Sequence, residues 1–181
     1  RAKAGPSIDT LSQPKPEKGR LLALIRRDYK GVFFWNYLRN MTSSFMSASM
    51  IPLVLATHGL SDLIWISLVG NLGVLLAIYR PLPFDEQNPA RLLVFGQLLM
   101  SLALLSMILP WLISMCAAFF AFLYGIITTN SLEAFIIQKR ASDAERGPLF
   151  SSREQMAIFG RTCGYVFSAL PPWLFMGAIT E

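Results

Sequence analysis

"WLISMCAAFFAFLYGIITTNSLEAFII", Trp111 to Ile137, decides the class of fold. One formal charge, Glu133, stands in it. The stretch exceeds the roughly 20 apolar residues that carry a helix across a bilayer. Its apolar residues form a block rather than the one-sided stripe of a surface helix. It is read as a transmembrane span over about 111–137.

Similar blocks lie on both sides. Upstream, Pro110 closes a span over about 91–109, and "RPLPFDEQNPAR" is a loop before it. A span over about 62–79 follows the tight turn "THGLSD", where Ser61 or Asp62 can cap the helix. The first span covers about 32–56. Residues 1–30 form a basic segment: 1–19 read as disordered, and "RLLALIRRDYK" as an interfacial helix or the lead-in to the first span. Downstream, Lys139, Arg140, Asp143, Glu145 and Arg146 mark a charged loop over 138–153. A fifth span covers about 154–177, and Pro171-Pro172 kinks or breaks its far third. The fold class is all-α: a polytopic helical membrane protein with five predicted transmembrane helices.

Composition agrees. Of 181 residues, 54% are hydrophobic and 15% charged, against about 25% charged in soluble domains. A soluble fold of this size could not hide so much apolar surface. No cleavable signal peptide opens the chain, whose first residues are polar and rich in Pro and Lys. It starts with Arg, which fits processing or a piece of a longer protein.

The net charge of +5 is explained by topology. Eight Lys and Arg precede the first span, and Arg39 lies near its start. Arg80 and Arg91 flank the second loop, and Lys139, Arg140, Arg146 and Arg153 occupy the fourth. Arg161 is two turns into the fifth span. The turns at 57–61 and near 110, and the tail 178–181, carry none. The positive-inside rule then places the N-terminus and the 80–91 and 138–153 loops in the cytoplasm, and the C-terminus on the opposite side. This is the pattern of a bacterial inner or plasma membrane protein, with lipids as its surroundings and no nucleic acid as partner.

Catalytic chemistry finds little to stand on. His58 is a lone histidine in a loop, and Cys116 and Cys163 fall inside spans without metal-ligand spacing. No Ser/His or Asp/Asp pair is evident, and no ATP-binding signature is present. The chain is read as no enzyme, with no metal and no cofactor.

Polar residues inside spans carry more meaning, because they are costly in hydrocarbon and face helices or water. Asn36, Asn40, Ser44 and Ser47 share one face of the first span, widened by Ser43 and Ser49. That face is either a packing surface or the wall of a polar cavity. Gly70, Asn71 and Gly73 mark packing in the second span, and Gln97 and Ser101 stand in the third. Thr128, Thr129, Asn130, Ser131 and Glu133 crowd the end of the fourth. An isolated charge at that depth costs several kcal/mol, so Glu133 is expected to pair with Arg161, at similar depth on the next span, or with Arg140.

These features resemble one half of a major facilitator superfamily transporter. Glu133 and Arg140 are spaced like the Glu-x6-Arg element of that family. "ERG" at 145–147, with Gln155, Gly160 and Gly164, resembles the loop and Gly-rich span that follow it. "PFDEQNPARLLVFGQLL" lies where the family carries Gly-x-x-x-Asp-Arg-x-Gly-Arg-Arg, with Asp85 and Arg91 at matching ends. Pro81, Glu86 and Asn88 depart from that pattern. The resemblance implies a six-helix bundle within a twelve-helix transporter, so a missing transporter half or partner membrane subunits would complete the chain. It implies secondary active or facilitative transport of a small solute by alternating access. Asn40, Ser44, Ser47, Thr129 and Asn130 would line the substrate pathway. Glu133, Arg140 and Arg161, with Asp85 and Arg91, would form a gating cluster. The alternative is a non-catalytic structural or assembly subunit of a larger membrane complex, whose polar faces only pack.

Overall fold

The structure is a computed structural model that describes residues 18–79, 89–106, 109 and 111–169. All regular elements among them are helical. α1 (Lys18–Leu24) runs through a π-helical segment (Ile25–Tyr29) into α2 (Lys30–Thr57). The lead-in is therefore continuous with the first long helix. α3 (Leu60–Tyr79), α4 (Pro89–Ser106), α5 (Leu112–Arg140) and α6 (Asp143–Ala169) follow.

Three of these, α3, α4 and α5, are long and apolar enough to cross a membrane. Five spans were expected. α2 and α6 fall short on composition: α2 carries Asn36, Arg39, Asn40 and a run of serines, and α6 carries Arg153, Glu154 and Arg161. The expected fifth span also runs past Ala169, outside the described residues.

The charged loop expected over 138–153 is instead helix. Only Ala141 and Ser142 separate α5 from α6. Local chemistry explains the early start. The Ser142 backbone N–H and hydroxyl both donate to the Glu145 carboxylate, the hydroxyl at 2.7 Å. This is one half of a capping box, and it holds the Glu145 carboxyl below the usual carboxylate range. Asp143 and Glu145 also place negative charge on the helix N-terminus. At the other end of the bundle, Gly59 turns α2 into α3 with φ of +89°, a left-handed conformation that glycine tolerates. His58 Nδ1 lies 3.4 Å from Asp62 across this turn.

Small residues set the helix packing, as close backbone approach requires. α6 lies along α2 through Gly160 and Gly164, which sit against the Tyr37 and Met41 carbonyls. α3 meets α5 where Gly70 faces Phe119 and Gly73 faces the Phe120 backbone. α4 meets α5 through Gly96, Gly125, Met100 and Thr129. The α2–α6 pair touches the α3–α4–α5 group where α2 meets α3, α4 and α5 and where α6 meets α5. Two apolar clusters close that seam: Met46, Met50, Val54, Ile66, Met100, Met115 and Phe122 near the α2–α3 turn, and Tyr29, Val32, Phe33, Leu93, Leu132, Ile136, Ile137 and Leu149 near the α5–α6 turn.

A Cβ at Gly160 would stand 2.5 Å from the Tyr37 carbonyl oxygen, a backbone atom that no rotamer change can move. Gly160→Val is therefore expected to lower stability by about 1–3 kcal/mol or more. Gly31, in the first turn of α2, has open space around it, and Gly31→Ala is expected to raise stability by about 0.5–1 kcal/mol. Thermal unfolding in detergent checks both signs.

Candidate functional site

The site grows from the polar end of α5. Asn130 and Glu133 are three residues apart and share a face. So do Asn36 and Arg39 on α2. Packing brings the two faces together, and α6 adds Arg153. Arg39 Nη1 lies 2.6 Å from Glu133 Oε1. That contact is an ion pair off the N–H line, since neither atom makes an aligned hydrogen bond among the described residues. Glu133 Oε2 accepts from Asn36 Nδ2 at 2.9 Å and from Arg153 Nε and Nη2 at 3.2 and 3.1 Å. Asn130 Oδ1 accepts from Arg39 Nη2 at 3.3 Å and also from Arg153 Nη2. Arg153 Nη2 reaches the Asn130 carbonyl as well.

The Glu133 side chain is 0% exposed, that of Arg39 6% and that of Arg153 12%. One carboxylate thus sits between two guanidiniums from two other helices, in the seam between the apolar clusters. A buried charge is tolerated only when opposite charges lie this close to it.

The pairing differs from the expected one. Arg161 donates to Glu154 on an exposed face of α6 at 2.7 Å and does not reach Glu133. Helix length gives the reason. With a connection of two residues, the α6 residue at the depth of Glu133 lies near 150. Arg161 is eight positions beyond Arg153, about 12 Å further along the axis. Arg140, two turns beyond Glu133, is exposed at the end of α5. Arg91 is exposed in the first turn of α4, and Asp85 lies outside the described residues. The cluster is therefore Asn36, Arg39, Asn130, Glu133 and Arg153.

The pathway residues scatter. Ser44 is buried beneath Gly164. Asn40 lies by Gly160, and its Nδ2 donates to the Asn36 carbonyl at 2.8 Å. Thr129 is buried against Gly96, and its hydroxyl donates to the Gly125 carbonyl. Ser47 is exposed, with its hydroxyl on the Ser43 carbonyl. Asn130 alone belongs to the charge cluster. A small cleft near the other end of the bundle is lined by Met50, Leu53, Val54, Ile66 and Met115, all apolar.

Arg39, Asn36 and Arg153 were legible in part. The i,i+3 pairs Asn36/Arg39 and Asn130/Glu133 are visible in the sequence, but the positive-inside pattern alone accounts for Arg39 and Arg153 and hides their part in the cluster. No family model, curated protein or solved structure matches the chain, so its function is argued from this geometry.

Proposed function

We propose that the chain is an integral membrane protein that moves a small solute by secondary active or facilitative transport. In this reading α2 and α6 also cross the bilayer, with Asn36, Arg39 and Arg153 turned onto α5 and Asn40 and Ser44 turned onto α6. The N-terminus and the α5–α6 turn are cytoplasmic, and a further set of helices completes the transporter, as in the major facilitator superfamily. The observation that supports it is the fully buried Glu133 between Arg39 and Arg153. Close packing of these helices needs only their small residues. An ionisable group among apolar helices marks function rather than packing. The cluster lies where the α2–α6 pair meets α5, toward the α5–α6 end of the seam. Opening that end requires separating Glu133 from its arginines, so solute or proton binding can shift the balance between two states.

A second reading, an assembly subunit, draws on the packing roles of Ser44, Asn40 and Thr129. Labelling separates the two. In a chain with Cys116→Ser and Cys163→Ser, Ser47→Cys and Ser131→Cys place thiols at exposed polar positions on α2 and α5. A membrane-impermeant maleimide is expected to label both in vesicles of either orientation. If neither thiol is labelled, those faces meet lipid or protein and the transport reading fails.

A further inference from the structure

The buried cluster holds two guanidiniums and one carboxylate. It therefore carries a surplus positive charge in a place where charge is costly. The neighbouring Arg161–Glu154 pair is neutral in itself and leaves the surplus unchanged. The other described acids near this end are committed elsewhere: Asp28 to Arg27, Asp143 to Arg146, and Glu145 to Ser142.

The hydrogen-bond pattern shows where a balancing charge can enter. Arg153 uses Nε and Nη2 on Glu133 and Asn130, and Nη1 takes no part in those bonds. Asn130 offers its Oδ1 to both arginines, which leaves its Nδ2 hydrogens to donate on the other side. Asn130 and its neighbour Ser131 are exposed, and Arg153 is the least buried member of the charged trio. Two donors, one of them cationic, are thus left over on Arg153 and Asn130, side chains that already touch where α6 meets α5.

We propose that this junction binds one oxyanion, a phosphate or carboxylate group, held by Arg153 Nη1 and Asn130 Nδ2. It would neutralise the surplus charge. A guanidinium suits this task because its planar fork matches the oxygens of such groups. The oxyanion can come from an anionic lipid headgroup, since basic pockets between membrane helices take such groups, or from a free solute. The site does not depend on the transport reading. An assembly subunit with this cluster carries the same surplus.

The test uses the full chain in neutral detergent, titrated with inorganic phosphate against chloride at equal ionic strength. A parallel arm compares nanodiscs of phosphatidylcholine with nanodiscs that also hold phosphatidylglycerol. A saturable rise in melting temperature with phosphate identifies a free-oxyanion site. A rise with phosphatidylglycerol alone identifies a headgroup site. Arg153→Gln is expected to weaken either effect by about tenfold or more, the scale of one charge-assisted hydrogen bond. Arg153→Lys keeps a charge against Glu133 but loses the fork, and it too is expected to weaken binding in a folded chain. Arg161→Gln combined with Glu154→Gln removes the neutral pair whole, leaves the surplus as it was, and is expected to bind as the parent does. If neither phosphate nor phosphatidylglycerol stabilises the chain, or if Arg153→Lys and this double variant respond alike, the proposal is overturned.

Discussion

Glu133→Gln is expected to cost about 3–5 kcal/mol, the range for removing one partner of a buried ion pair. The side chain keeps its size and can still accept from Asn36. What changes is the charge. Arg39, with its side chain 6% exposed, loses the carboxylate 2.6 Å away, and the oxygen that Arg153 Nε and Nη2 share with Asn36 loses its negative charge. Two guanidiniums would then face each other at the α2–α5–α6 seam without a counter-charge. Unfolding in mixed micelles of a mild and a denaturing detergent measures the loss. Arg153→Gln is expected to fall in the same direction by less, since its side chain is 12% exposed. Arg161→Gln breaks only the exposed pair with Glu154 and is expected to shift stability by about 1 kcal/mol or less. Equal losses at Arg153 and Arg161 would contradict the assignment of the cluster.

That contrast also marks what the sequence made legible. The helix over 112–140 is legible because its apolar run is too long for any other element, and Gly70 and Gly73 mark a contact face because small residues let helices approach closely. The start of α6 is less so. Charge density argues for a loop over 138–153, while Ser142-x-x-Glu145 argues for a helix start. The local capping bonds decide it. That single choice fixes which arginine lies level with Glu133. A long loop favours Arg161, and a two-residue connection favours Arg153. Arg39 was hidden for another reason. Counting cations by leaflet explains its place in the chain without asking what it faces, and only the packing of α2 on α5 brings it to Glu133. The separation of α2 and α6 from the three apolar helices is likewise a matter of pairing. Asn40 and Ser44 are covered along the Gly160–Gly164 contact, and Asn36, Arg39 and Arg153 at the charge cluster.

Replacing every member of the cluster but the exposed Asn130 by apolar residues is expected to do what no single change does. In Asn36→Leu, Arg39→Met, Glu133→Leu and Arg153→Met combined, no buried charge remains and no desolvation cost is left to offset. Such replacements of buried ionic groups are neutral or stabilising by about 1–4 kcal/mol when the new side chains fill the volume. The fourfold variant is thus expected to unfold well after Glu133→Gln in the same micelles, despite carrying more substitutions. Its behaviour should part from its stability. Without ions to separate, one arrangement of the seam is held by apolar contact alone. Maleimide reactivity of Ser131→Cys should then differ sharply between the two vesicle orientations, where the parent is expected to react in both. Phosphate or phosphatidylglycerol should no longer raise its melting temperature. A fourfold variant as unstable as Glu133→Gln would mean that the ion pairs contribute net stability and serve as a fastener. A stable variant with the parent's labelling pattern would remove the cluster from the transport mechanism. The two readouts move independently because ionic groups in a low-dielectric seam are weak glue, yet their separation can still set the balance between two packed states.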